Sequence, residues 1–525
     1  MNEEVDVVIV GAGHNGMAAA GYLSRAGKKV FVVERLGKVG GMTSAGYMIP
    51  EAPQHLVTPC AVELLFVRGT GLIEDLDLVK HGLEWVDPDP TYAYLHPDGS
   101  SVCIFRDAER TAEDMARLNR DDGIRYRKFL QLLDALMDIG FPVMQAEPGR
   151  PDIGNMSKII GNAVRNVRLK NELQILAAGT ADQIACEWFE HPANIALLTN
   201  TAAGAGPIDD DGNAAAYMIL AVLHRLGTGK PIGSLQAFSE ALRRSIEASG
   251  AQIRLNAPVA EIIVDDGAAK GVRLEDGSVI RARAVIASCD PRTAYAMTTS
   301  GQVDRRLLRR IEHAPANRSN AAPLLANIAM SGPLTLKRHQ DLRHDDADLA
   351  KAVGYIGTPE EVRESFAAAK RGDLPKRHAV SLTPLSNSDP TQAPPGGSLA
   401  YVYVPAIAVD AREGWNDALK DRVMGDLIEQ MSEFYEGFQN EVGRFVETPR
   451  EREKRLNVTN GCVTHIDFGS LRSGINRPAT GFGGPKPPVT GLYIGGAGAH
   501  PGGGISGIPG RIAAQRVQRY LRKVK

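Results

Sequence analysis

The chain opens on an unbroken apolar run, VDVVIV (Val5 to Val10), of the kind needed by a strand covered on both faces, and the run stops at Gly11. From His14 to Ala26 the pattern changes to that of a helix. Its small residues Ala18, Ala19, Ala20 and Gly21 let it lie close on a sheet, and Gly27 ends it as a C-cap. KVFVVE (Lys29 to Glu34) returns to a strand pattern, which completes a βαβ unit. From about residue 68 to 230 the pattern turns helical and irregular. KFLQLLDALMDIGF (Lys128 to Phe141) and AAAYMILAVLHRLG (Ala214 to Gly227) read as buried or amphipathic helices whose stripes are core packing.

The βαβ character resumes at Lys230. Ser234 is placed to cap a helix with Leu235, Phe238, Leu242 and Ile246 on one face as far as Gly250, and QIRL follows as a strand. VAEIIVDDG and KGVRLEDGS alternate as a hairpin, the second run ending in an Asp276-Gly277 turn. VIRARAVIAS then carries the chain back to the sheet. Residues 296 to 450 form a second irregular block, with the loop SNSDPTQAPPGGS before the strand LAYVYVPA. After Arg455, NVTNGCVTHIDFG reads as strand-like. GLYIGG is a strand that delivers a glycine-rich loop, and the chain finishes as a helix with Pro509 near its first turn. A nucleotide-binding domain is thus interrupted twice and resumed, and no internal repeat is present.

Composition narrows the partners. At 525 residues the chain is long enough for two or three domains and a large interior cavity. Its 60 basic and 62 acidic residues leave a net charge of −2, which argues against nucleic acid as a partner. No run approaches the ~20 apolar residues that span a bilayer, and MNEE leads directly into a strand, so a cytoplasmic location is expected. Two basic surfaces, Arg511, Arg516, Arg519, Arg522, Lys523 and Lys525 in the last helix and KIIGNAVRNVRLK (Lys158 to Lys170), fit peripheral contact with anionic lipid or plain solvated faces. A homo-oligomer is compatible with the sequence. The cysteines Cys60, Cys103, Cys186, Cys289 and Cys462 are scattered and never spaced as CxxC, so they read as reduced thiols. No histidine spacing indicates a metal.

The candidate chemistry lies at the two ends. GAGHNG (Gly11 to Gly16) sits between strand and helix, with Glu34 close to the ~20-residue interval at which a carboxylate meets a ribose hydroxyl. GGAGAHPGGGISGIPGR (Gly495 to Arg511) opens the last helix, where free N–H groups and the helix dipole favour a phosphate or the negative charge of a reduced ring. Together with PIGSLQAFSEAL and NGCVTHID, these motifs resemble the FAD-dependent family of bacterial-type phytoene desaturases over nearly the whole chain. Within it they are most similar to the beta-carotene ketolase-like branch and the branch of pyridine nucleotide-disulfide oxidoreductase domain-containing protein 2.

That resemblance implies an α/β fold: a glutathione-reductase-like Rossmann FAD-binding domain assembled from residues 1–67, 230–295 and 455–525, with an α+β substrate domain from 68–229 and 296–454. It also implies FAD as cofactor. Gly11, Gly13, His14, Asn15 and Gly16 would approach the pyrophosphate. Glu34 with Arg35 would hold the adenosine ribose, and Gly40, Gly41, Met42 and Thr43 would follow the phosphates. Val259 would meet the adenine, Gly498 the ribityl chain, and Gly504, Ile505 and Ser506 the flavin ring. Met42 stands where many relatives carry arginine, so its part would be backbone-only.

The implied reaction is hydride removal from a C–H bond of a largely apolar, isoprenoid-like substrate to the flavin, with reoxidation by oxygen or a quinone, since no second GxGxxG opens a helix. His500 and His465 are the candidates for a catalytic base, each weighed against a loop-anchoring role. His55 and Glu63 have weaker claims. An amine-oxidase-type flavoenzyme stays open, although aromatic residues are only 6% and no paired-aromatic cage is legible. A non-enzymatic lipid escort of the same fold is the last alternative.

Overall fold

The computed structural model describes residues 2–469 and 472–524. The chain starts with β1 (Asn2–Val10), α1 (His14–Arg25) and β2 (Val30–Val33). Val7, Val8 and Ile9 of β1 are wholly removed from water, each worth roughly 1.5–3 kcal/mol. At Gly21 a side chain would sit 2.7 Å from Leu76, so the small residue sets how closely α1 packs. Next come β3 (Tyr92–Leu95) and β4 (Ser101–Ile104), then the long helix α2 (Arg120–Gln145) and α3 (Ile153–Arg165). α4 (Ser234–Ala248) leads to β5 (Gln252–Arg254), β6 (Val259–Asp265), β7 (Ala268–Leu274) and β8 (Val279–Ala287). The second irregular block holds β9 (Ala321–Met330), β10 (Val353–Ile356), β11 (Val380–Pro384), β12 (Ser398–Ala408), α5 (Asp417–Ser432) and β13 (Glu441–Glu447). β14 (Leu492–Ile494) and α6 (Ile508–Lys523) close the chain.

Two seven-stranded sheets organise these elements. The first runs β5-β2-β1-β8-β7-β6, with β14 alongside β8. β1, β2, β5, β8 and β14 are parallel, and the β6–β7 hairpin is antiparallel. Because side chains alternate along a strand, Val7 and Ile9 pack with Leu235, Phe238 and Val517 of α4 and α6. Val8 and Val10 face Ile262, Val272 and Phe482 on the other side. This double cover is why β1 reads as continuous apolar sequence. The second sheet runs β13-β9-β12-β11-β10-β3-β4, antiparallel except where β10 meets β3. The fold is the α/β Rossmann architecture joined to an α+β unit.

Three local expectations differ from the structure. The stretch 68–229 is not only helical, because β3 and β4 leave it to edge the second sheet; both are fully buried four-residue strands without alternation to reveal them. NVTNGCVTHIDFG is a chain of turns, with Asn457, Asn460 and His465 at φ 53, 54 and 62, and not a strand. Ser234 lies inside the first turn of α4 at φ 67, where its hydroxyl accepts from Gln236 N at 3.2 Å. Among the described residues no helix is long and apolar enough to cross a membrane.

Candidate active site

The loops at the carboxyl ends of β1, β2 and β14 converge on one point. Gly11, at φ 100, turns the chain out of β1 while its N–H donates to Val33 O at 2.8 Å. Glu34, just past β2, accepts from Ala12 N and from Leu36 N, both at 2.8 Å, so the carboxylate fixes the first glycine turn as well as facing the ligand space. Gly40 N donates to Ala12 O at 2.9 Å and brings in the second glycine loop. A side-chain carbon on Gly16 would lie 2.2 Å from Gly11 O, and one on Gly510 would lie 2.0 Å from Asn15 O. Glycine at these two positions therefore lets α1 start tight against its strand and α6 start against α1. The free N–H groups of two helix termini are thereby neighbours, although they are separated by the length of the chain.

A cavity of about 560 Å³ begins there and runs into the second sheet. Gly11, Gly13, His14, Asn15, Glu34, Arg35, Gly40, Gly41, Met42 and Val259 line its nucleotide end, and Gly504 and Ile505 lie further along it. Ile505 holds φ 52, a left-handed conformation that costs a β-branched residue on the order of 1–3 kcal/mol. The remaining expected contacts act behind the wall. Thr43 bonds Gly40 O at 2.9 Å and Ser239 Oγ at 2.6 Å. A side chain on Gly498 would sit 2.3 Å from Pro291, and Ser506 Oγ accepts from Ile508 N at 3.3 Å. The cavity fits a dinucleotide: His14 Nε2, Asn15 Oδ1 and His465 Nδ1, all on lining residues, are buried without a hydrogen-bond partner.

The two histidine candidates separate. His465 lines the cavity, and burial lowers its pKa against the pull of Asp290. His500 lies outside the cavity: its Nδ1 accepts from Gly474 N at 3.2 Å and its Nε2 lies 3.1 Å from Val143 O. Its ring ties the loop ahead of α6 to the end of α2. His55 is likewise buried outside the cavity, with Nε2 3.4 Å from Met330 O. Burial, with His465 nearby, holds His14 down to about 4, so it is neutral at pH 7.

The far chamber of the cavity contains groups that no spacing in the sequence announces. Leu325, Val353, Tyr355, Tyr403 and Tyr92, all from the second sheet, line it together with Glu63 and Leu65. Tyr92 donates to Glu63 Oε2 at 2.7 Å, and its ring stacks on Tyr355 with centroids 5.2 Å apart and an interplanar angle of 11°. The fold thus forms one stacked aromatic pair that the sequence does not make legible. It is hard to see there because its members lie in β3 and β10, which are neighbours only in the fold. Burial raises the pKa of Glu63, opposed by Lys230 and by the Tyr92 hydrogen bond, and Oε1 is left without a partner. Lys230 is itself buried, lowered by that burial, and its Nζ donates to Lys351 O at 3.3 Å. Cys60 also lines the cavity, but burial pushes its thiol up, so it is a neutral neighbour of Met42 and not a nucleophile.

Comparison with known proteins gives one consistent picture. Residues 16–517 match the family described as flavin containing amine oxidoreductase. A limonene dehydrogenase polypeptide of Castellaniella defragrans is 27% identical over 99% of this chain and 95% of its own length. Pyridine nucleotide-disulfide oxidoreductase domain-containing protein 2 of Rattus norvegicus is 26% identical over 100% and 95%. The neurosporene-forming phytoene desaturase of Rhodobacter capsulatus is 26% identical over 97% and 93%. Among solved structures, a cofactor-site triple mutant of putrescine oxidase superposes with a TM-score of 0.64 at 17% identity, covering 100% of both chains. An oxidoreductase from Methanosarcina mazei superposes with a TM-score of 0.60 at 18% identity, over 98% of this chain and 100% of its own.

Proposed function

This chain belongs to the flavin-containing amine oxidoreductase family and is an FAD-dependent oxidoreductase, and from that premise we propose that it dehydrogenates a C–H bond in a largely apolar, isoprenoid-like molecule. The observation that carries the proposal is the chamber beyond Gly504 and Ile505. Leu325, Val353, Tyr92, Tyr355 and Tyr403 make its wall apolar and phenolic, and the carboxyl of Glu63 among them has Lys230 as a buried counter-charge. The named activities of the limonene dehydrogenase and phytoene desaturase relatives support an apolar substrate.

When bound, FAD would supply the acceptor for the hydride, and the glycine turns, Glu34, Val259 and the Gly504–Ile505 loop would hold it. The chain supplies the rest. Leu325, Val353 and the Tyr92–Tyr355 stack orient an apolar skeleton and exclude water. Glu63 takes the proton that leaves with the hydride: Tyr92 occupies Oε2 and leaves Oε1 free, and the charge of Lys230 opposes the burial that raises the carboxyl's pKa. Loss of one hydride and one proton converts a C–C bond to C=C. Reoxidation falls to oxygen or a quinone.

The test is anaerobic. The flavin-loaded protein is mixed in turn with a cyclic monoterpene hydrocarbon, a micellar C40 polyene, primary and cyclic amines, and NADPH, and the flavin absorbance is followed. Bleaching by a terpenoid alone is expected. Bleaching by an amine would favour amine oxidation, and prompt bleaching by NADPH would overturn the assigned electron acceptor.

A further inference from the structure

α3 is mounted with its apolar face outward. Asp152 caps it by accepting from Asn155 N at 2.8 Å, yet none of its residues is buried. The side turned to the protein carries Asn155, Ile159 and Asn162, and the amide of Asn162 donates to Asp138 O of α2 at 2.6 Å. The opposite stripe, continued one turn beyond the helix, holds Ile153, Met156, Ile160, Val164 and Val167 at 90, 38, 54, 67 and 56% exposure. Spacings of three and four place them on one line. A helix packed on a core shows the reverse arrangement, so water is not the environment this stripe suits. Ile475, itself 53% exposed, lies beside Gly149 just ahead of the helix and widens the patch.

Charge identifies the occupant. From Ile153 to Lys170 there is no carboxylate, while Arg168 and Lys170 stand to either side of the stripe's end and Lys158 and Arg165 add positive charge on the helix's polar side. A second copy docked about a two-fold axis would set these cations against themselves. An anionic bilayer meets both features, because the stripe sinks to the acyl boundary while the long basic side chains reach lipid phosphates. The basic residues of α6 do not offer the same surface. Arg511 donates to Thr70 O, Arg516 and Arg519 pair with Glu147, Arg522 and Lys523 are exposed but have no apolar stripe beside them among the described residues, and Lys525 lies outside that set. We propose that α3 seats this protein on anionic membrane surfaces, lying in the interface without crossing it.

Flotation of the flavin-loaded protein tests this without any turnover, so it stands or falls separately from the substrate assignment. Vesicles of phosphatidylcholine with phosphatidylglycerol should carry the protein upward, less so at high salt, and phosphatidylcholine alone should not. The paired substitutions Ile160→Glu with Val164→Glu, or Arg168→Glu with Lys170→Glu, should each reduce the floated fraction about tenfold or more. These side chains are exposed, and an unchanged flavin spectrum and circular dichroism confirm the fold. The proposal is overturned if the parent protein stays at the bottom, if it floats equally on neutral vesicles, or if the variants float undiminished. Sedimentation showing a dimer that Ile160→Glu with Val164→Glu splits would give the stripe to a second copy instead.

Discussion

Glu63 and the buried histidines carry the sharpest consequences of single side chains. Replacing Glu63 by glutamine keeps the Tyr92 partner and the shape of the chamber but removes the proton acceptor. The rate of anaerobic flavin bleaching by the preferred hydrocarbon should fall about 10²–10⁴-fold, with FAD affinity unchanged and the acid limb of the pH profile lost. Equal rates in Glu63→Gln would remove Glu63 from the reaction. His378 is buried outside the cavity, and burial holds it down to about 4, so it is neutral in the native state. The unfolded chain binds a proton there from about pH 6.5 downward, so native stability present above that pH is lost as pH falls towards 4. The full effect is about 3 kcal/mol. His378→Gln should therefore flatten the fall of melting temperature over that range, and an unchanged slope would contradict the assignment. At this scale Glu34 was legible because a local βαβ unit fixes its distance from Gly11. The contact of Glu63 with Tyr92 and its nearness to Lys230 were not, since they depend on a loop meeting β3 and the chain around Lys230, which are distant from it in sequence.

Among elements, the meeting of α1 and α6 decides whether the site exists. A methyl on Gly510 would drive into Asn15 O, a backbone atom that cannot swing aside. Gly510→Ala should lower unfolding free energy by roughly 1–3 kcal/mol and weaken FAD binding, because the N-terminal turn of α1 moves with it. Gly425, in the middle of α5, has no neighbour within 4 Å of an added methyl. Gly425→Ala should stabilise the protein by about 0.5–1 kcal/mol through helix propensity. Denaturant unfolding of the two variants distinguishes them, and shifts of the same sign would refute the packing argument. Elements with continuous apolar runs or clear helical period, such as β1, β2, α4 and β8, followed from sequence. β3 and β4 did not, because full burial erases alternation. The turns around His465 depend on left-handed asparagines whose role only the packed structure reveals.

At the level of the whole molecule, the first sheet gathers strands from residues 2–33, 252–287 and 492–494, and that gathering brings both glycine loops to one cavity. The two intervening stretches supply the second sheet and the chamber, and in sequence they carry no chemical signature. Function therefore depends on one continuous space with the nucleotide at one end and an apolar substrate at the other. A crystal structure of the FAD-bound protein tests this most directly. The adenosine ribose should lie on Glu34 and the flavin ring against Gly504 and Ile505, facing Tyr92, Tyr355 and Glu63. A ring at the Glu34 end, or FAD outside this cavity, would contradict it.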